Sequence, residues 1–454
     1  MPTPVADSYS VGSGASVYAG IYRGGRISGA LTLGDALAAG ALGINAASLS
    51  GALTLGDSVA AGSIAGAFVP SWLSAATVGT WGTIPATNTL ADLNPANNAA
   101  INPNYPSAPE WTNTQYAVIS AWNSMALNPA TGEMWAWGGG HADYGGNEPY
   151  VLDPRSNTPS WVMRRPPSGA IGNPITDGGV GSSAALIAAS ATGFYSDGRP
   201  RPTHTYNSLV YVPGKGMCVT NLYYVFPHVN GPSKAVYYNE STNDWGLLSD
   251  YVSLGDSNAI GGGTCYDPSR NCIWALGKGA YNMLKMDCAT GITTRSGAID
   301  NHAEGAILKY DAANDLVYVL SNSSSSGWLD YPSRMTVFDP TNSVFYVLPS
   351  PTGSLPASQL ITSYAVAWDA LAGRMLLWNY AGDRTQIGVL TRPASNIRTT
   401  AWAASTLTLD GSNAVTPPTA QVNGTYGRFD YLPTLGICVL VNATNQPVYF
   451  FKVR

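Results

Sequence analysis

The sequence predicts an all-β fold: a β-propeller of six four-stranded blades closed into a ring, preceded by a small segment of different character. Three observations carry this. Only 11% of the 454 residues are charged, while Gly (50), Pro (31), Tyr (26) and Trp (13) are plentiful, which suits many short strands joined by tight turns. From residue 116 onward a phrase recurs six times, with two apolar strands around a tight turn, a third strand, and a fourth that carries an aromatic. The last recurrence stops one strand short at Arg454, and a segment ahead of the first carries the missing phrase.

In chain order, the first element is a duplication. Residues 28–42 read SGALTLGDALAAGAL and residues 50–64 read SGALTLGDSVAAGSI, the same pattern 22 positions on. Leu alternates in each copy (Leu31 and Leu33, Leu53 and Leu55) ahead of a Gly-Asp turn, so each copy is expected to form a small β-hairpin unit. Such a unit buries little apolar surface alone. Residues 1–70 are therefore expected to be an anchor that needs further copies or a host structure, making the protein a homo-oligomer or a part of a larger assembly.

Residues 76–454 are expected to form the propeller. The first-and-second-strand hairpins are read at 121–140, 205–225, 262–277, 305–321, 364–380 and 424–442. Third strands follow at 148–154, 234–241, 282–288, 334–340, 386–393 and 447–453, and fourth strands at 160–166, 244–249, 291–297, 343–349 and 401–407. The sixth blade lacks a fourth strand. Trp81 in TWGTIP sits in the phrase that Trp161, Trp245 and Trp402 occupy elsewhere, so residues 79–85 are expected to complete that blade and leave no long sheet edge unpaired. These tryptophans are read as packing between neighbouring blades.

Gly138-Gly139 after a second strand, Tyr150 in the third and Trp161 opening the fourth follow the Kelch order of paired glycines, Tyr and Trp. In this the chain resembles Kelch and galactose-oxidase-like propellers, over roughly residues 79–454. The other five blades lack the glycine pair, and the copper ligands and Tyr–Cys cofactor of galactose oxidase have no counterparts here. The N-terminal repeats resemble in style the attachment regions of phage tail fibres and spikes.

The formal net charge of −5 and the lack of any Lys/Arg run argue against nucleic acid as a partner. No run of 18 apolar residues suggests membrane insertion, and MPTPVADSYSVGSG is not a secretory signal. Cys218, Cys265, Cys272, Cys288 and Cys438 are expected to be buried thiols, although Cys265 and Cys272 flank one hairpin and a bridge between them stays open.

Strands alternate direction within a blade, so first-to-second and third-to-fourth turns share one face, and these turns are short. The second-to-third loops and blade connections share the other face and are long, which is where binding usually resides. That face carries Tyr144, Tyr223, Tyr224, Trp328 and Tyr331 among Asp and Asn side chains, a mixture suited to a carbohydrate's apolar faces and hydroxyl edges. His141 and His204, with His302, Asp143, Asn301 and Glu304, are expected near the channel mouth. Such a set has the chemistry of a divalent-metal site, but histidines bonded to loop backbone are the preferred reading, and no cofactor is expected.

No G-x-S-x-G elbow, P-loop or H-E-x-x-H motif is present. Binding is accordingly favoured over catalysis. The expected function is that of a phage tail receptor-binding protein, made in the host cytoplasm, carried in the virion through residues 1–70 to other tail or baseplate proteins, and recognising a host surface receptor, a glycan. The alternatives are a glycan hydrolase acting on the same face and a structural tail subunit.

Overall fold

The structure is a computed structural model that describes residues 32–33, 54–55, 69–101, 115–141, 143–169, 192–222, 224–226, 229–231, 233–251, 262–276, 282–298, 306–320, 335–355, 365–378, 382–421 and 423–454. The chain divides into two compact units, Met1–Val69 and Pro70–Arg454. In the first, Thr32 pairs with Thr54 and Leu33 with Leu55, parallel and in register. The described strands of the two copies thus pair with each other through identical residues. Whether each copy also folds back as a hairpin lies outside the described residues.

The second unit is a six-bladed β-propeller of antiparallel sheets. Blade 1 contains Met125–Leu127, Met134–Ala136, Tyr150–Leu152 and Trp161–Met163. Blade 2 contains Leu209–Val212, Gly216–Val219, Lys234–Asn239 and Asp244–Asp250. Blade 3 contains Gly263–Asp267, Cys272–Leu276, Asn282–Asp287 and Thr293–Ala298. Blade 4 contains Ile307–Asp311, Leu316–Leu320, Met335–Asp339 and Val344–Val347. Blade 5 contains Val366–Asp369, Arg374–Trp378, Ile387–Thr391 and Ala403–Thr406, with Thr352–Gly353 added in parallel along its outer strand. Blade 6 contains Phe429–Leu432, Ile437–Leu440 and Tyr449–Lys452, and its fourth strand is Trp81–Thr83. Trp81 lies opposite Phe451 and Thr83 opposite Tyr449, so the chain closes the ring with the segment the sequence singled out.

Successive residues of an inner strand face opposite blades. Met134 and Ala136 pack toward blade 6 whereas Trp135 and Trp137 pack toward blade 2. Both faces of the inner strands are buried, which is why these strands read as largely apolar runs. Six core clusters result, one for each pair of neighbouring blades including 6 with 1. The outer-strand tryptophans do the expected packing: Trp81 meets Trp378 of blade 5, Trp245 meets Trp137 of blade 1, and Trp402 meets Tyr318 of blade 4.

The short turns are shaped by side chains. Asp267 Oδ1 accepts hydrogen bonds from the backbone N–H groups of Ser269 and Arg270, and Asn128 serves Ala130 and Thr131 alike, the Asx-turn device that makes Asp and Asn favourable there. Three buried carboxylates of this face are paired with arginines of neighbouring blades, Arg392 with Asp311, Arg398 with Asp339 and Arg454 with Asp369, and Asp267 with Arg270 of its own blade. All five cysteines are free and buried, Cys265 lying opposite Trp274 and Cys272 opposite Asp267. Among the described residues, no helix is long and apolar enough to cross a membrane.

Candidate functional site at the channel mouth

Three residues ahead of the first strand in blades 1, 2 and 6, an aromatic residue adopts the left-handed conformation: Trp122 (φ 52°), Tyr206 (φ 45°) and Tyr426 (φ 45°). A bulky side chain with positive φ is a steric outlier that costs on the order of 1–3 kcal/mol, and such strain concentrates at binding sites. The local sequences are Ala121-Trp122-Asn123-Ser124, Thr205-Tyr206-Asn207-Ser208 and Thr425-Tyr426-Gly427-Arg428.

Bonds between blades hold these conformations. Tyr206 N donates to Trp122 O at 2.6 Å, and Asn123 Oδ1 accepts from Thr205 N at 2.9 Å. Arg428 is fully buried, and its guanidinium donates to the carbonyls of Asn123, Val441, Asn442 and Gly424. Burial without a carboxylate partner lowers its pKa to about 9. Asn207 Nδ2 reaches past blade 3 to the Ala306 carbonyl at 3.1 Å. Lys309 of blade 4 pairs with Asp430 of blade 6 at 3.0 Å, and because these blades are not neighbours the ion pair crosses the channel and narrows it.

The three aromatics meet two histidines. The His204 ring lies 4.7 Å from Trp122 and 4.3 Å from His141, centroid to centroid, and Tyr206 stands edge-on to both His204 and Tyr426 at 5.6 Å. His204 Nε2 is 3.1 Å from Asp143 Oδ2, and Nδ1 is 3.4 Å from the Tyr206 hydroxyl. The carboxylate only accepts, so Nε2 donates to Asp143, while Nδ1 and the Tyr206 hydroxyl share the second bond. Two layers follow. His204, Tyr206 and Tyr426 are buried below, while Trp122 and His141 are partly exposed and the Asp143 side chain is 40% exposed above them. Gly140 (φ +80°) is required where the loop meets them, because a Cβ there would collide with Asp143 Oδ2 and His204 Nε2.

Of the residues chosen from sequence, the fold brings His141, Asp143 and His204 together. Tyr144, from the same loop, is fully buried instead, its hydroxyl 2.6 Å from Glu148 Oε1. Tyr223, His302, Glu304, Trp328, Tyr331 and Asn301 lie outside the described residues, as does the side chain of Tyr224. Among the described residues no group of three or more His, Cys, Asp or Glu side chains is arranged to hold a metal ion. Sequence reasoning missed Trp122, Tyr206 and Tyr426, although the repeated aromatic three residues before a first strand was a visible signal.

Glu148 ends this loop. Its Oε1 accepts from the hydroxyls of Tyr144 (2.6 Å) and Tyr150 (2.7 Å), while Oε2 is buried without a hydrogen-bond partner. Burial pushes its carboxyl up to about 7 against the lowering effect of the two phenols and of its own backbone N–H.

Fold and site together define the class, a six-bladed β-propeller with an aromatic and histidine cluster at its channel mouth. No family model and no curated protein matches the sequence. Among solved structures the chain is similar to TolB from Acinetobacter baumannii (12% identity, 59% of this chain and 51% of that one, TM-score 0.35). It is similar also to a GH74 enzyme from Niastella koreensis (15%, 76% and 46%, TM-score 0.39) and to an auxiliary nutrient binding protein from Bacteroides ovatus (11%, 73% and 69%, TM-score 0.40). The chain spans about half the length of the first two. Likenesses at this level assign no activity to it.

Proposed function

We propose that the protein is a carbohydrate-binding propeller that works as the receptor-binding component of a phage tail, made in the host cytoplasm and mounted in the virion by its N-terminal repeat. The observation that carries the binding half is the two-layered mouth. A partly exposed indole, Trp122, and the partly exposed His141 ring both pack on His204, which is bonded to Asp143, over a buried aromatic layer held in strained backbone by bonds between blades. A partly exposed indole and a partly exposed carboxylate joined through one histidine suit a sugar ring, whose C–H face stacks while its hydroxyls donate. Support for the mounting half is the in-register pairing of the duplicated LTL segments, which gives identical strands a way to add further copies. The Kelch affiliation belongs to the same proposal and rests on the order of Gly138, Gly139, Tyr150 and Trp161 in blade 1.

Hydrolysis of a glycan would use two carboxylates at a defined separation, whereas binding needs only the partly exposed indole and the polar groups beside His204. Binding is the better-supported reading. The test is capture of the full chain on a glycan array and on host cells, with Trp122→Ala and Asp143→Asn beside the parent. Each change should weaken capture by about 1–3 kcal/mol. Capture equal to the parent in both variants removes this site from the argument, and absence of the chain from purified virions removes the tail role.

A further inference from the structure

We propose that Glu148 is a proton-operated latch on the loop that carries His141 and Asp143: protonated, it holds the loop closed on the channel mouth, and its ionisation releases the loop. The latch regulates the site proposed above and in that sense rests on that reading, but its test reads the loop itself.

The loop is folded around Tyr144. A Cβ at Gly139 or Gly146 would strike that residue, Trp137 Nε1 donates to Asn147 O at 3.0 Å, and the Tyr195 hydroxyl donates to Gly145 O at 2.6 Å. Tyr144 in turn is held by Glu148, which also takes the Tyr150 hydroxyl, and Gln115 Nε2 links that hydroxyl to the Leu90 carbonyl. One carboxyl therefore joins the mouth loop, the third strand of blade 1 and the segment leading into the propeller.

The groups facing Glu148 are Tyr144 from its own loop and Tyr150 from the blade, with the uncharged Gln115 behind Tyr150. Among the described residues no Lys, Arg, His or second carboxylate contributes to its field. An ionised carboxylate here draws on two phenols and its own backbone N–H, leaves Oε2 buried without a hydrogen bond, and meets no cation. A buried charge in that position is costly, whereas the protonated form is not. The closed loop therefore favours the proton, and raising the pH drives the loop open. The rise of the carboxyl from 4.5 to about 7 agrees with this direction.

The experiment is hydrogen exchange of the 138–148 amides in the full chain between pH 5 and 9, corrected for intrinsic exchange. Protection should fall by up to roughly a hundredfold as pH rises from 5 to about 7 and level off above that, a bound set by the size of the shift. Glu148→Gln should remove the step. Tyr144→Phe, which deletes one donor to the ionised form, should move the midpoint to higher pH. A parent without a step, or a step unchanged in Glu148→Gln, overturns the latch. Should Glu148→Gln fail to fold, an unmoved midpoint in Tyr144→Phe overturns it. Glycan capture indifferent to Trp122→Ala, with the pH step intact, would defeat the glycan reading and leave the latch standing.

Discussion

Ring closure by the strand Trp81–Thr83 has a measurable energetic consequence. Trp81 is 3% exposed, packs edge-on against Trp378 at 6.4 Å and Phe451 at 5.4 Å, and donates through Nε1 to the Thr385 carbonyl at 2.9 Å. Truncation to alanine removes most of a side chain that buries roughly 200 Å². At 25 cal/mol per Å² that is about 4 kcal/mol after the alanine methyl is allowed for, within the range seen for buried Trp→Ala. A stranded Thr385 carbonyl adds about 1 kcal/mol. For a unit of this size the melting temperature should fall by about 6 °C. Thermal unfolding of the full chain, followed by near-ultraviolet circular dichroism and calorimetry, checks this. A variant melting within about 2 °C of the parent would refute the reasoning, because the closing strand would then carry no core.

Three further expectations follow from particular side chains. The folded pKa of Glu148 lies above its unfolded value, so its contribution to stability is fully present below pH 4.5, is lost as pH rises to about 7, and is flat above; chemical denaturation at pH 5 and 8 should differ by about 3 kcal/mol from this group, and Glu148→Gln should flatten the profile. The Lys309–Asp430 pair is part-buried, with side chains 16% and 28% exposed, so Lys309→Met should cost about 1 kcal/mol with little salt dependence. Arg428→Lys should cost about 3 kcal/mol in urea unfolding, because an ammonium cannot serve carbonyls from both blade 6 and blade 1 at once. Equal stability of parent and variant would contradict either expectation.

The blades were legible because the inner strands are buried on both faces and read as largely apolar runs, and because Asp or Asn turns at Asn128, Asp267, Asp311 and Asp369 punctuate the hairpins. Trp81 was legible as a closing strand because the outer-strand aromatic repeats. A stronger phrase went unread: Tyr211, Tyr266, Tyr310, Trp368 and Tyr431 each sit one residue before the end of a first strand. Only the first blade has the Kelch glycine pair, whereas this aromatic recurs in the other five. The pairing of the N-terminal copies was hidden because period-two alternation fixes which face a residue occupies and not which strand lies beside it.

At the mouth, His141, Asp143 and His204 could be chosen because few histidines exist and loop positions are visible in sequence. Backbone conformation is not visible in the same way. Trp122, Tyr206 and Tyr426 owe their positive φ to bonds between blades, and Tyr144 owes its burial to Glu148 and to glycines that make room for its ring. Both are tertiary effects that override local preference.

The most direct test of the central claim is calorimetric titration of the full chain with a glycan captured on the array, comparing the parent with Trp122→Ala. The indole is only partly buried, so its loss should leave the melting temperature nearly unchanged while affinity falls about tenfold to a hundredfold. Undiminished affinity with an unchanged melting temperature would contradict the claim that the channel mouth is the binding site.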